Sequence, residues 1–245
     1  MCDAENYQLL DFGEGRKLEQ YGPLRLDRPC PAADGETPSH QELWETADAR
    51  FSGESANAGQ WQARRELPAR WPVHFGPSVL ELKRCESGHV GVFAEQAENW
   101  NWLAQMVHGF RPPIRVLNLF GYTGGSTLAC AGAGAEVTHV DAARNVVAWA
   151  RRNAALSGLG DSPIRWIAED ALKFARREAK RGSHYDAVIL DPPSYGHGPR
   201  GEVWRLSRHL PRLLSLCAEL TAGQCRFLLL TGHTPNYGPL RLEAM

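Results

Sequence analysis

The 245-residue chain has no long apolar run, no paired cysteines and no leader-like start. No apolar stretch approaches the roughly 20 residues that a membrane-spanning helix needs. The first residues, MCDAEN, lack the basic-then-apolar pattern of a signal peptide. The six cysteines (positions 2, 30, 85, 130, 217 and 225) are scattered, with no CxxC pair or Cys/His metal spacing. We therefore expect reduced thiols, a cytoplasmic location, no metal centre and no membrane contact.

Two common nucleotide-binding patterns are also missing. The glycine-rich segment Phe120–Ser126 reads FGYTGGS, which is not the G-x-G-x-x-G of dinucleotide-binding sites. A dehydrogenase is therefore disfavoured. The segment also lacks the G-K-[ST] end of a P-loop, so we expect no phosphate cradle there.

The net charge of −1 hides an uneven distribution. Residues 1–110 carry 10 Lys/Arg and 17 Asp/Glu, a net −7, whereas residues 111–245 carry 17 and 11, a net +6. A concentrated basic face would attract a polyanion. The alternative is that these side chains are the solvated faces of ordinary helices.

The first part of the chain shows short, weak patterns. Residues 1–60 suggest irregular structure with short strands and turns, with loops at Arg28–Pro38 and Ser52–Gly59. Residues 71–95 are predicted to form a small antiparallel sheet or hairpin. Its expected strands are Trp71–Phe75, Val79–Leu82 and Gly88–Phe93, and a helix is expected from Glu95 to Phe110.

From Ile114 onward, strand and helix patterns alternate. Such βα units imply a parallel sheet with helices on both faces. We therefore predict an α/β fold: a Rossmann-like, doubly wound, mostly parallel sheet with a small β-rich N-terminal segment. The predicted strands are 114–119, 136–140, 164–168, 186–191 and 226–231, and the predicted helices are about 126–133, 143–157, 171–181 and 203–220.

Three strands end in residues suited to a nucleoside. In open α/β sheets, ligands bind beyond the carboxyl ends of the strands. The first strand ends in the glycine-rich loop, the second in Asp141, and the third in Glu169 and Asp170. Asp141 could accept both hydroxyls of a ribose, and a carboxylate after the third strand could accept an adenine amine. Each acid could instead be a helix cap, but together the three exits favour a nucleoside cofactor.

The fourth strand ends in Asp191-Pro192-Pro193-Ser194-Tyr195. Two prolines make a stiff rim, whose carbonyls and carboxylate can accept hydrogen bonds from an amine while the tyrosine ring covers a flat face. This suits a planar, nitrogen-bearing group such as a nucleobase. The alternative is a proline-rich turn.

These motifs resemble those of class I S-adenosylmethionine-dependent methyltransferases, in particular the ribosomal RNA large-subunit methyltransferase group. The resemblance covers about residues 73–235. It rests on Leu117–Ser126, Val140-Asp141, Glu169–Ala171 and Asp191–Tyr195, and on Gly88–Asn99, which is similar to that group's segment over the cofactor.

The resemblance implies S-adenosylmethionine as cofactor and S-adenosylhomocysteine as product. Ribose would be held by Asp141, and adenine by Asp170 with Ala171. Phe93 and Gln96 would close the pocket, unless they serve only in packing. The methionine part would be lined by Asn118, Phe120, Gly121, Tyr122, Thr123, Gly124 and Gly125.

The resemblance also divides the chain into a small N-terminal region, 1–72, and a methyltransferase domain, 73–245. That domain would comprise a leading hairpin and helix at 73–110 and a βα core at 114–235. Its C-terminal part looks incomplete, because the fold normally continues past the fifth strand. The fifth strand would then present an open edge through which a homo-oligomer could form.

The residues favour methylation of nitrogen over carbon. A covalent mechanism at carbon usually needs a cysteine nucleophile, but position 194 is Ser and Gly232-His233-Thr234 follows the fifth strand. We assign the catalytic role to Asp191, Pro192, Pro193 and Tyr195, with a nucleobase of RNA, for instance ribosomal RNA, as substrate. His197 and His233 are candidate proton acceptors. The alternatives are a small-molecule methyltransferase and a non-catalytic protein that binds S-adenosylmethionine.

Overall fold

The computed structural model describes residues 6–55, 58–111, 113–198, 201–234, 237–238 and 241. The chain forms two compact units, Met1–Glu95 and Gln96–Met245. The sequence placed the start of the methyltransferase domain at residue 73 instead, and where the catalytic domain begins stays a prediction. Among the described residues, no helix is long and apolar enough to cross a membrane.

The first unit contains a five-stranded sheet in the order β1-β2-β3-β4-β5. All neighbours are antiparallel except β3 and β4. The predicted small β-rich N-terminal segment is confirmed, but its strands form a regular sheet, so the expectation of irregular structure over 1–60 was wrong. The strands are β1 (Tyr7–Gly13), β2 (Arg16–Tyr21), β3 (Leu24–Pro29), β4 (Ala49–Ser55) and β5 (Ala58–Ala63); a 3₁₀ turn, Pro31–Ala33, and the short helix α1 (Gln41–Trp44) lie between β3 and β4.

The predicted loop at Ser52–Gly59 belongs mostly to β4 and β5. Phe51 and Trp61 pair across these strands, with ring centroids 5.3 Å apart. A side chain at Gly59 would collide with the Phe51 ring. The missing side chain therefore lets the ladder continue through a glycine- and serine-rich stretch that reads as a loop.

A second hairpin in the first unit joins β6 (Trp71–Phe75) and β7 (Ser78–Leu82). The third strand expected at Gly88–Phe93 does not form. Two hydrogen bonds, Lys83 N to Val90 O and Cys85 N to His89 O, hold this segment locally. Gly88 and Gly91 have φ of 80° and 96°, which interrupts an extended run although Val90 and Val92 are buried.

The second unit is built on a fully parallel sheet in the order β10-β9-β8-β11-β14. This confirms the α/β prediction. The strands are β8 (Arg115–Leu119), β9 (Glu136–Asp141), β10 (Ile164–Ala168), β11 (Ala187–Leu190) and β14 (Phe227–Leu230). The helices are α2 (Ala97–His108, after a 3₁₀ turn at Ala94–Gln96), α3 (Gly125–Gly132), α4 (Arg144–Leu156), α5 (Ala171–Lys180) and α6 (Leu206–Leu220).

Helices cover both faces of this sheet because successive apolar side chains of its central strands point to opposite faces. Leu117 and Val188 contribute to a core with residues of α5 and α6. Val116 and Ile189 contribute to the opposite core with residues of α2 and α3. The strand order reverses between β8 and β11, and such a reversal opens a crevice at the carboxyl ends of the strands.

One element differs from the predicted core. The helix expected from residue 203 begins at Leu206, and Val203–Arg205 is instead a short strand, β13. It pairs antiparallel with β12 (Tyr195–His197), so the chain after β11 forms a small hairpin. Val203 and Arg205 are exposed while Trp204 is buried, and this period of two favours a strand over a helix.

Candidate active site

The loop between β8 and α3 holds three residues in left-handed conformations. Phe120, Tyr122 and Gly124 have φ of 62°, 48° and 98°. The amide of Gly121 donates to the Val140 carbonyl at 3.0 Å, which ties the loop to β9. Left-handed conformations at non-glycine residues cost about 1–3 kcal/mol each and concentrate at functional sites. The strain lies at the crevice where the strand order reverses.

Two glycines of this loop make room for large neighbours. A Cβ atom at Gly121 would lie 2.5 Å from the His139 ring, and one at Gly125 would collide with the Trp100 ring. The loop backbone therefore packs directly on β9 and α2. Glycine is required at both positions because the loop backbone lies close to the His139 and Trp100 rings. The composition of the loop alone cannot reveal these contacts.

A buried polar chain supports the loop from below. The Asn118 amide donates to Thr127 Oγ1 at 2.8 Å, and that oxygen lies 2.8 Å from His139 Nδ1. Asn118 is only 2% exposed, so it holds β8 to α3, and its predicted contact with a cofactor stays a prediction. Burial lowers the pKa of His139 to about 3, so its ring is neutral at ordinary pH.

Other contacts fix the far side of the loop. The buried amide of Asn153 on α4 donates to the Thr123 carbonyl at 2.8 Å. The Gly124 amide donates to the Gly121 carbonyl at 3.0 Å. The loop is thus bonded to β9 and α4 and packed on α2, so its amide groups are held in place before any ligand arrives.

Asp141 ends β9 beside this loop. Its Oδ2 accepts the Tyr122 amide and its Oδ1 accepts the Ala143 amide, each at 3.0 Å. Burial raises the pKa of Asp141, and the two amides act against that rise. Each oxygen keeps a lone pair, so the carboxylate can still accept two vicinal hydroxyls.

Asp170 is the N-cap of α5. Its Oδ1 accepts the Lys173 amide at 2.8 Å, so the capping role considered from the sequence is present. The neighbouring Glu169 amide donates to the Asp141 carbonyl at 3.0 Å, which brings the exits of β9 and β10 together. Ala171 is buried. Recognition of adenine by Asp170 and Ala171 stays a prediction.

The diproline rim connects the exits of β11 and β14. Asp191 Oδ1 accepts a hydrogen bond from the Thr231 hydroxyl and lies 3.4 Å from His233 Nε2. The hydroxyls of Ser194 and Thr234 are 2.7 Å apart. The Asp191 carboxylate is thus anchored by residues that follow β14. Asp191 is also partly exposed, so it still faces solvent.

Trp204 closes the rim and was missed by the sequence analysis. Its indole Nε1 donates to the Pro193 carbonyl at 2.7 Å, and its ring centroid lies 4.9 Å from that of Phe120. It thus links the diproline segment to the glycine-rich loop. Pro192 is buried, whereas Tyr195 is 52% exposed and available to cover a ligand. The buried position of Trp204 was not recognised because residues 203–205 were predicted to be helical.

Phe93 and Gln96 fall on either side of the boundary between the units. The Phe93 ring packs edge-on to His89 at 5.2 Å, within the first unit. In the second unit, Gln96 Oε1 accepts the Asn99 amide at 2.8 Å. Their closing of a cofactor pocket stays a prediction.

The thiols of the second unit lie away from the rim. Cys130 on α3 and Cys217 on α6 are buried, which raises the pKa of each to about 12. Cys225 precedes β14, at the end of the strand opposite to Thr231. Within the described ranges, no cluster of three His, Cys, Asp or Glu side chains is arranged to hold a metal ion.

Residues 48–239 match the family model for S-adenosylmethionine-dependent methyltransferases. The chain belongs to this family. Curated ribosomal RNA large-subunit methyltransferases are similar to parts of the chain. Methyltransferase I of Aeromonas salmonicida is 36% identical over 132 residues, which is 53% of this chain and 32% of that protein. Methyltransferase K/L of Chromohalobacter salexigens is 30% identical over 222 residues, 86% of this chain and 29% of that protein. The chain thus spans about a third of these relatives.

A solved S-adenosylmethionine-dependent methyltransferase from Agrobacterium tumefaciens is similar over nearly the whole chain. It is 41% identical, with a TM-score of 0.92, and the match covers 99% of this chain and 78% of that one. The similarity to this structure therefore extends over both units.

Proposed function

We propose that this chain binds S-adenosylmethionine at the tips of β8, β9 and β10 and transfers its methyl group to a nucleobase of RNA. The observation that carries the proposal is Asp141, whose carboxylate is fixed by two backbone amides beside a strained glycine-rich loop. A carboxylate held this way can grip the two ribose hydroxyls of an adenosine group. Family membership supports the same ligand.

The rim after β11 supports transfer to an amine. When bound, S-adenosylmethionine supplies an electrophilic methyl group and leaves as S-adenosylhomocysteine. The Asp191 carboxylate and the Pro192 carbonyl orient a target amine by accepting its N–H groups, and Tyr195 covers the flat face of the base. Such positioning brings reacting atoms to about 3–3.5 Å. His233, next to Asp191, is the nearby base that would take the proton released from nitrogen.

A covalent route through carbon has little support. It needs a thiolate at the reactive edge, but Cys130 and Cys217 are buried with pKa values raised to about 12. Cys225 lies at the other end of β14. The described residues after β11 and β14 carry a carboxylate, hydroxyls and an imidazole instead, which suits nitrogen.

RNA is favoured as the substrate by two facts. Relatives that match 53% and 86% of this chain are named as ribosomal RNA large-subunit methyltransferases. Residues 111–245, which carry the proposed site, have a net charge of +6, which favours a polyanion. Tritium transfer from labelled S-adenosylmethionine should appear in an RNA pool, with a methylated nitrogen on nucleoside analysis. Label in a metabolite extract instead would show a small-molecule methyltransferase.

The cofactor grip is tested by Asp141→Ala. Hydrogen bonds to a charged group are worth about 1.5–3 kcal/mol, so we expect a 10- to 100-fold loss of affinity for S-adenosylhomocysteine by calorimetry. Asp161→Ala removes an exposed acid elsewhere and should bind like the wild type. Wild-type affinity in Asp141→Ala, or no binding by the folded wild type, would contradict the proposal.

A further inference from the structure

Three arginines form an exposed stripe beside the diproline rim. Arg205 ends β13, and Arg208 and Arg212 follow on α6. Arg208 and Arg212 are four residues apart, which places them on one face of the helix, and Arg205 is the extended residue directly before it. All three are exposed, and Arg208 and Arg212 are about 6 Å apart along the helix axis. We call these three residues the arginine face.

Among the described residues, no acid neutralises the arginine face. None of its members forms an ion pair with any residue in the described part of the chain. The adjacent helix α5 differs: its Arg177 pairs with Glu169, and its C-cap residue Arg181 pairs with Glu178. The positive charge of α5 is thus partly used within the fold, while that of the arginine face is not.

The position of this charge opposes the stability of the helix. The N-terminal end of a helix carries a partial positive charge, so cations there are unfavourable and acids are preferred. The first turn of α6 contains no acid, and Arg205 and Arg208 lie at its start. An unpaired cationic stripe at this end is therefore explained better by an external anion than by helix formation.

An exposed aromatic ring lies next to the arginine face. Tyr195 is paired directly with Arg205 across the β12–β13 hairpin, so their side chains lie on the same side. Trp204, which precedes Arg205 and pairs with Gly196, is buried instead. A ring for a base and cations for a backbone are therefore neighbours on one surface, which continues into Asp191-Pro192-Pro193.

We propose that the arginine face binds consecutive phosphates of single-stranded RNA next to the nucleotide whose base enters the diproline rim. This rests on the proposed function and specifies how its substrate is held. Single-stranded nucleic acids are bound by cationic surfaces that follow the backbone and by aromatic rings that stack on bases. Arg208 and Arg212, about 6 Å apart along the helix axis, are close enough to contact neighbouring phosphates.

The test is the double variant Arg208→Gln/Arg212→Gln, which leaves the proposed catalytic residues intact. Its matched control is Arg151→Gln/Arg152→Gln, which removes the same charge from exposed positions on α4. Binding of a labelled RNA oligomer of about 20 nucleotides is measured by fluorescence anisotropy between about 50 and 200 mM salt. Each lost phosphate contact lowers the slope of log affinity against log salt by about 0.7 for a single strand.

We expect the test variant to lose about 1.4 from this slope, and to need more RNA for half-maximal methyl transfer, with unchanged affinity for S-adenosylhomocysteine. The control should keep the wild-type slope. A wild-type slope in the test variant, or an equal loss in the control, overturns the proposal even if RNA is methylated. If the test variant lost methyl transfer to an acidic protein but kept wild-type transfer to RNA, the surface would bind protein. That result would also overturn the proposal. Absence of RNA methylation by the wild type would instead refute the proposed function.

Discussion

At the scale of single residues, Gly121 is defined by what lies against it. Gly121→Ala would place a methyl group 2.5 Å from the His139 ring, so the loop or the ring must move. Overpacking of this kind costs about 1–3 kcal/mol, and the displaced loop should bind S-adenosylhomocysteine at least about tenfold more weakly. Calorimetry and denaturant unfolding measure the two effects.

Gly132→Ala is the matched control for that substitution. A methyl group at Gly132 would meet only Leu159, at an ordinary 3.8 Å, so both affinity and stability should be retained. Equal behaviour of the two variants would show that the close approach of Gly121 to His139 has no role in the loop.

His139 should make stability depend on pH. Its folded pKa of about 3 lies below the ordinary histidine value of 6.5, so below pH 6.5 the unfolded chain binds a proton that the folded chain does not. The free energy of unfolding should therefore fall with decreasing pH, by about 1–2 kcal/mol between pH 6.5 and 5 from this group. Denaturant titrations of His139→Gln should show a shallower dependence there. His184→Gln, at an exposed position, should follow the wild type, and parallel curves for all three proteins would contradict this.

The positions of several candidate site residues could be predicted because these residues directly follow strands. Asp141, the glycine-rich loop and Asp191 needed only the strand ends and the rule that ligands bind there. His139, Trp100 and Trp204 could not be found this way. Their roles depend on contacts between distant segments, such as the Trp204 indole with Pro193.

At the scale of elements, the β12–β13 hairpin buries Trp204 and exposes Tyr195, the ring proposed to cover the target base. Tyr195→Ala should raise the RNA concentration for half-maximal methyl transfer by about 5- to 100-fold, since stacking is worth about 1–3 kcal/mol per base. Tyr195→Phe keeps the ring and should restore most of the activity. Affinity for S-adenosylhomocysteine should be unchanged in both. If the alanine variant matched the wild type in steady-state kinetics, the ring would have no part in binding RNA.

The two sheets differed in how well they could be predicted. The strands of the second unit are short apolar runs, such as Ala187–Leu190, which is buried throughout. In the first unit, charged residues are buried within strands. Glu19 on β2 is fully buried and pairs with Arg28 on β3 at 2.6 Å. Such pairs hide the apolar alternation that normally identifies a strand.

At the scale of the whole molecule, β14 is a terminal strand of the parallel sheet among the described strands. Leu228 on it is 45% exposed, and an open apolar edge favours association. We expect self-association that increases with protein concentration in sedimentation experiments, and Leu228→Lys should weaken it. Leu156→Lys changes a similarly exposed leucine on α4, 49% exposed, and should not. A monomeric wild type at all concentrations would remove this expectation.

The reversal of strand order between β8 and β11 separates the proposed cofactor-binding residues from the proposed target-binding residues. Most residues assigned to the cofactor follow β8, β9 or β10, and those assigned to the target follow β11 and β14. After gene duplication, one copy could acquire a new target through changes in the segments after β11 and β14 alone. Its cofactor-binding residues would stay unchanged. Chimaeras that exchange only the segments after β11 and β14 between paralogues should therefore carry target choice with them.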